Sequence, residues 1–365
     1  MALRDRVNKH ILDLQAYQPG KPIEELEREL GISDSIKLAS NEHPIGPSPK
    51  VTAAIHAAVE EAHRYPDGAS FALRDLLAER LGVADNQLVF GCGGDEILEL
   101  LAKTLLSPGD EVVFAWPSFA MYPIVAQGMG ATSVRVPLDA EHRHDLPAMA
   151  DAVTDRTKLI FVCNPNNPTG TSVGAAELDA FMERVPEDVV VMIDEAYWEF
   201  AERPDFPDSL AWVERRPATL VLRTFSKIYG LAGLRVGYGI AGSELAEYLQ
   251  RARHPFNVNR LAEAAAVAAL DDTEHVKRTV EMVIEGRAYL TRELHAMGVE
   301  VIPSEANFLL ARVGMGVYDV LLEQGIIVRP LAGYEMPDCI RITVGAPHEN
   351  ERLVKALRRH REGAS

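Results

Sequence analysis

From about residue 87 the chain alternates short apolar runs, rich in β-branched and aromatic residues, with longer segments whose apolar positions recur at helical spacing. The runs read QLVFGCGG, EVVFAWP, TSVRVPL, KLIFVCNP, VVVMIDEAY, TLVLRTFS and RVGYGIA. Most lack polar alternation, as strands covered on both faces do, and helical segments such as ILELLAKTLL and AELDAFMERV separate them. This alternation predicts a large α/β domain over residues 46–255, with a mostly parallel seven-stranded sheet between helices.

The pattern changes after RVGYGIA. An Ala-rich helix is expected at Arg260–Leu270 and a long amphipathic helix near Val276–Met297, followed by the strands VEVIP, NFLLARV, IIVRPL and CIRITVG. These predict a smaller α+β domain over 256–365. An N-terminal segment, 1–45, is expected to join it and to cover any ligand site between the domains. A chain of 365 residues exceeds the size at which one core keeps growing, which also favours two domains.

In open α/β sheets ligands bind outside the carboxyl ends of the strands. The unusual residues of this chain sit there: GCGGDE, WPSFAMY, NPNNPTG, DEAY and SKIYGLAGLR each follow an apolar run. The net charge of −17 argues against a nucleic-acid partner and gives no reason to expect an anionic membrane. MALRDRVNKHILDLQAYQPG has no apolar signal-peptide region, and no stretch approaches the roughly 18 apolar residues of a membrane span. Cys92, Cys163 and Cys339 are far apart and lack metal-ligand spacing. A reduced, cytoplasmic protein without a metal is expected.

Each strand-end cluster has its own chemistry. GCGGDEI opens a helix, where free backbone N–H groups and the positive helix end suit a phosphate, although taken alone the motif reads more readily as a simple tight strand-to-helix turn. It matches neither GxGxxG nor GxxxxGK[ST], so a dinucleotide site gains no support. Asp194 ends the apolar run VVVMID, either as a sheet-end cap or as a charge aimed at a cation. Tyr197 stands three residues on, Asn167 lies in the turn NNPTG, and Lys227 follows TLVLRTFS. Together they meet one need. A Schiff-base lysine requires a desolvated site, and a pyridoxal ring requires an anion at its nitrogen, donors at its phenolate oxygen and a phosphate cradle.

NPNNPTG, DEAY and TFSKIYGLAGLRVGY, in this order, resemble the fold-type I pyridoxal-phosphate aminotransferases. YQPGKPIEEL, LASNEHPIGPS and YPDGASFALRDLLA resemble more narrowly the histidinol-phosphate aminotransferase family, and the resemblance runs from about Tyr17 to Gly345. It implies pyridoxal 5'-phosphate as cofactor, with Lys227 as its Schiff-base partner and Asp194 at the pyridinium nitrogen. Tyr197 and Asn167 would bond the phenolate oxygen, and Phe119 would stack on the ring. Gly94, Asp95, Glu96, Thr224, Ser226 and Arg235 would hold the cofactor, most of them at its phosphate. Tyr65 would reach that phosphate from the neighbouring subunit of a homodimer. Tyr17, Asn41, Arg329 and Arg341 would bind the substrate, with the arginine forks taking its phosphate or carboxylate. The implied reaction is transfer of an amino group from L-histidinol phosphate to 2-oxoglutarate.

One position departs from that family's pattern: Ile45 stands between Pro44 and Gly46, where an aromatic residue is common. An aromatic amino-acid aminotransferase would share every cofactor residue and differ only in the pocket. A threonine-phosphate decarboxylase and a non-catalytic cofactor-binding regulator are the further alternatives. His43, His142 and His144 read as surface or turn histidines, Trp116 as a core residue, and Cys92 as filling space near the phosphate turn.

Overall fold

Two sheets organise the computed structural model, which describes residues 2–363. Met1, Ala364 and Ser365, which fall within the expected domain spans, lie outside the described residues. The first strand, β1 (Ile36–Leu38), belongs to the smaller sheet. The larger sheet contains β2 (Leu88–Gly91), β3 (Glu111–Trp116), β4 (Thr132–Pro137), β5 (Thr157–Cys163), β6 (Val190–Asp194), β7 (Thr219–Thr224) and β8 (Gly237–Ala241). Its order is β2-β8-β7-β6-β5-β3-β4, parallel except for β8, which runs against both neighbours. The seven apolar runs of the sequence are these seven strands.

Why those runs are unbroken is visible in the packing. One apolar layer, with Val113, Ile160, Val191 and Val221, lies on one face of the sheet, and another, with Phe114, Phe161, Met192 and Leu220, lies on the other. Successive side chains of β3, β5, β6 and β7 therefore both need apolar partners. β4, at the sheet edge, is the exception and keeps several exposed positions.

The smaller sheet adds β9 (Glu300–Ile302), β10 (Phe308–Arg312), β11 (Ile326–Pro330) and β12 (Cys339–Thr343) to β1, in the order β1-β11-β12-β10-β9. β1 pairs in parallel with β11, so the N-terminal segment is part of this sheet. Tyr197, Phe200 and Ile228, from loops beyond β6 and β7, pack into the same core as Leu38, Phe308 and Val328. That shared core joins the carboxyl ends of the large sheet to the small one.

The Ala-rich helix is placed differently from the expectation. Arg260–Leu270 packs on Pro49–Val59, and Ala262, Ala265, Ala266 and Ala269 share the core of Val51, Leu73 and Leu77 on the large-sheet side. Alanines let two helix backbones approach closely, and this stripe finds its partner there rather than on the small sheet. The helices that cover the small sheet include Thr273–Ala296, with Val283, Leu290 and Leu294 in its core, and Pro347–Gly363, with Leu353 and Leu357 there. Among the described residues no helix is long and apolar enough to cross a membrane.

Candidate active site

The cleft between the sheets holds a cavity of about 330 Å³. Large-sheet strand ends supply Asp194, Thr224, Ser226 and Lys227, and the smaller sheet supplies Arg329 and Arg341. Gly94, Asp95, Phe119, Asn167, Tyr197 and Arg235 line it as well, together with Tyr17 and Asn41 from the N-terminal segment.

Asp194 is the last residue of β6 and is buried. Its Oδ2 accepts from Tyr122 Oη at 2.7 Å and its Oδ1 from the Ala196 N–H at 3.1 Å. Burial pushes the carboxyl up to about 6 despite these donors. No ion pair to Asp194 occurs among the described residues. A buried carboxylate with two neutral donors is a place for a cation.

A stability consequence follows for protein prepared free of cofactor. The folded-state value is raised above that of an unfolded carboxyl, so folding favours the protonated form. Asp194 therefore costs nothing below about pH 4 and progressively more as the pH rises through about 6, where the penalty reaches about 3 kcal/mol. Asp194→Asn should raise the melting temperature of cofactor-free protein at pH 7.5 and leave it nearly unchanged near pH 4. Equal shifts at both pH values in thermal melts would contradict this assignment.

Lys227 follows β7, and its Nζ donates to the Ser40 carbonyl at 3.3 Å. Burial first, and the Arg341 charge second, push its ammonium down to about 8. Tyr197 lies beneath, its ring centroid 5.7 Å from Nζ. Its oxygen accepts from Asn41 Nδ2 at 2.9 Å and from Asn167 Nδ2 at 3.4 Å, and burial pushes the phenol upward. Asn167 precedes Pro168 through a cis peptide bond.

At the opposite end, the helix Gly93–Leu105 points its N-terminus at the cavity with Gly94 and Asp95 in its first turn. The first N–H groups of a helix have no intrahelical partners. Close packing makes room for this cradle. A Cβ on Gly93, at φ +77°, would lie 2.3 Å from the Arg235 guanidinium, and one on Gly237 would lie 2.8 Å from the Gly94 nitrogen. Arg235 Nη2 sits 3.0 Å from Asp95 Oδ2, and the Thr224 hydroxyl bonds Ser226 Oγ at 3.0 Å. The result is a cluster of N–H, O–H and guanidinium donors.

Arg329 and Arg341 stand opposite each other on β11 and β12. Arg341 is buried; its Nη1 donates to Asn167 Oδ1 at 2.5 Å and its Nη2 to the Ala39 carbonyl at 2.6 Å, while its buried Nε has no partner among the described residues. Arg329 bonds the Gln18 carbonyl at 2.8 Å, with Tyr17 under its guanidinium at 5.7 Å. Neither forms an ion pair with a carboxylate among the described residues. The cavity thus offers two donor clusters suited to anions, one at the helix start and one at the arginines, with a carboxylate and a lysine between them. That donor set fits pyridoxal phosphate, whose ring nitrogen would meet Asp194 and whose phosphate would meet the helix start.

Three expectations change, those for Glu96, His144 and Trp116. Glu96 does not line the cavity: its carboxylate turns back to the Cys92 N–H at 2.5 Å and to Asn257 Nδ2 at 2.8 Å, which caps the helix. Tyr65 lies outside its own chain's cavity, 78% exposed and stacked on Phe256 at 4.7 Å. His144 is buried rather than at the surface, where its Nε2 meets Asn166 Oδ1 at 3.1 Å. Trp116 is only partly buried and bridges the two sheets through Tyr334, at 5.7 Å, and Glu335. Tyr122, the donor to Asp194, was missed by sequence reasoning. Its signal was its place in PSFAMY, three residues beyond Phe119 and just past a strand end.

The sequence pattern of the aminotransferase class I and II family matches residues 33–359. The chain belongs to that family. The aminotransferase is 49% identical over 362 residues to a histidinol-phosphate aminotransferase of Akkermansia muciniphila, covering 98% of this chain and 99% of the relative. It is also 49% identical to that of Moorella thermoacetica, covering 95% of this chain and 91% of the relative. A crystal structure of histidinol-phosphate aminotransferase from Sinorhizobium meliloti, in complex with pyridoxal-5'-phosphate, superposes with a TM-score of 0.90 at 29% identity, covering 99% of this chain and 98% of that one. An aspartate aminotransferase of Thermus thermophilus shares the fold, with a TM-score of 0.84 at 22% identity.

Proposed function

We propose that this aminotransferase uses pyridoxal 5'-phosphate to move the amino group of L-histidinol phosphate to 2-oxoglutarate, as a cytoplasmic homodimer with shared active sites. The observation that carries the reading is the second anion site, Arg341 with Arg329, set apart from the helix-start cradle in one cavity with Lys227 and Asp194. A guanidinium fork takes a phosphate monoester or a carboxylate with the same geometry, so one site serves both half-reactions. The names of the relatives support the same donor.

When bound, the cofactor supplies the electron sink that makes the hydrogen on the substrate's amine-bearing carbon acidic. Lys227 Nζ accepts that proton and gives it back, a task suited to an amine whose value lies near 8. Asp194 keeps a proton on the ring nitrogen by presenting a buried negative charge. Tyr197 and Asn167 donate to the oxygen side of the ring, and Phe119 covers its face. Gly94, Asp95, Thr224, Ser226 and Arg235 bind phosphate. Tyr65, exposed on its own chain, completes the phosphate site of the neighbouring subunit.

Ile45 argues little for an aromatic amino acid as donor. It is 39% exposed and lies outside the cavity lining of its own chain. Steady-state rates with histidinol phosphate and with phenylalanine, each with 2-oxoglutarate, decide between the donors. Turnover of phenylalanine alone would overturn the assignment, and carbon dioxide release from threonine phosphate would point to the decarboxylase. Arg341→Lys keeps the charge but loses the fork, and should lower kcat/KM for histidinol phosphate about a hundredfold, mostly through KM. An unchanged KM in that variant would move the substrate anion elsewhere.

A further inference from the structure

Two side-chain amides meet at the oxygen of Tyr197, and neighbours fix the orientation of each. Arg341 has only donors, so the oxygen of the Asn167 amide must face its Nη1, at 2.5 Å, and the NH₂ group must face the phenol. Asn41 is fixed by Thr343. The Asn41 backbone N–H donates to Thr343 Oγ1 at 2.9 Å, and the Thr343 hydroxyl donates to Asn41 Oδ1 at 3.2 Å. Turning that amide over would leave the hydrogen of a buried hydroxyl without an acceptor. The Asn41 NH₂ group therefore faces Tyr197 Oη, at 2.9 Å. With both lone pairs of the phenol oxygen taken, its hydrogen points into the cavity.

We propose that Asn41 and Thr343 are positioning residues that make Tyr197 a hydrogen-bond donor into the cavity. The sequence placed Asn41 at the substrate; the geometry assigns it to the phenol. Asn41 is held in the left-handed region, at φ 54°, which asparagine tolerates better than most residues, and Asn307 Nδ2 bonds its carbonyl at 3.1 Å. The relay crosses the cleft. Thr343 and Asn307 belong to the small sheet and its approach, Asn41 to the N-terminal segment, and Tyr197 to the large-sheet side. A phenol that donates favours an oxyanion facing it, whereas one turned to accept disfavours it. The inference rests on the reading of Tyr197 as partner of the cofactor's phenolate oxygen.

The test is a pH titration of the absorbance of bound pyridoxal phosphate, without substrate. Thr343→Val keeps the side-chain shape and frees the Asn41 amide to turn. Asn41→Asp places only acceptors against the phenol. Both should raise the titration midpoint by about one pH unit, a roughly tenfold change in proton affinity, with the larger shift in Asn41→Asp. Thr343→Ser, which keeps the hydroxyl, should restore the wild-type midpoint. A purely structural role would weaken cofactor binding without moving the midpoint, and an unmoved midpoint in cofactor-saturated Thr343→Val overturns the proposal. If Thr343→Val fails to fold, an unmoved midpoint in Asn41→Asp does so. Wild-type protein that binds no pyridoxal phosphate would instead refute the functional reading. The relay is then read from the ultraviolet titration of Tyr197 in Thr343→Val, isolated by subtracting Tyr197→Phe; an upward shift supports it and no shift overturns it.

Discussion

Lys227→Ala loses turnover by a factor of about 10⁴ or more, because one side chain performs two tasks. Among the described residues its side chain is the only lysine lining the cavity, and burial together with Arg341 holds the amine near 8, where it would both attack a carbonyl and carry a proton. No neighbour replaces it. Tyr197 is pushed away from ionisation, and Asp194 is already engaged by Tyr122 and Ala196. The phosphate cradle does not depend on the lysine, so the variant should still bind cofactor, more weakly and reversibly. Borohydride reduction followed by peptide mass analysis checks this: the wild-type peptide containing Lys227 gains the cofactor's mass and the variant does not. Full activity in Lys227→Ala would refute the enzymatic reading.

Asp194→Asn should lower kcat by roughly a thousandfold, the size of effect seen when a preorganised charge at a reacting group is removed. The substitution keeps the volume, and the buried hydroxyl of Tyr122 still has an oxygen to donate to, so the fold is retained. What goes is the negative charge proposed to keep a proton on the ring nitrogen. The same change should stabilise cofactor-free protein above pH 6, where the buried charge is a cost. A proposed catalytic charge that weakens the empty fold is the usual trade between stability and activity. Single-turnover rates with a saturating amine donor check the first effect; a loss below about tenfold would remove Asp194 from its assigned place.

The large sheet was legible because its strands are buried on both faces. That shortens the pattern to unbroken apolar runs, and ligand-binding groups are then forced to the strand ends, where Asp194, Thr224 and Lys227 stand. Direction was not legible: RVGYGIA reads like its parallel neighbours, yet β8 runs antiparallel to β7. The Ala-rich helix was misplaced because a stripe of alanines fits any close neighbour, and only the fold shows that Pro49–Val59 is that neighbour. The motif around Glu96 suggests a place in the site, but a glutamate in a first helical turn also caps, and here it does. His144 was read as exposed because its surroundings, EHRHD, are polar; its burial depends on Asn166, distant in sequence. The contacts of Asn41 with Thr343 and Asn307 span 302 and 266 residues, so no local pattern reports them.

In the proposed reaction the cavity between the two sheets passes an amino group from a phosphate-bearing amine through Lys227 to 2-oxoglutarate. It is tested most directly by adding L-histidinol phosphate alone to enzyme saturated with pyridoxal phosphate and recording the cofactor's absorbance. The expected result is loss of the visible band in a single turnover, conversion of the cofactor to its amine form, and full recovery of the band on addition of 2-oxoglutarate. A band unmoved by histidinol phosphate but lost with an aromatic amino acid, or not restored by 2-oxoglutarate, would contradict it.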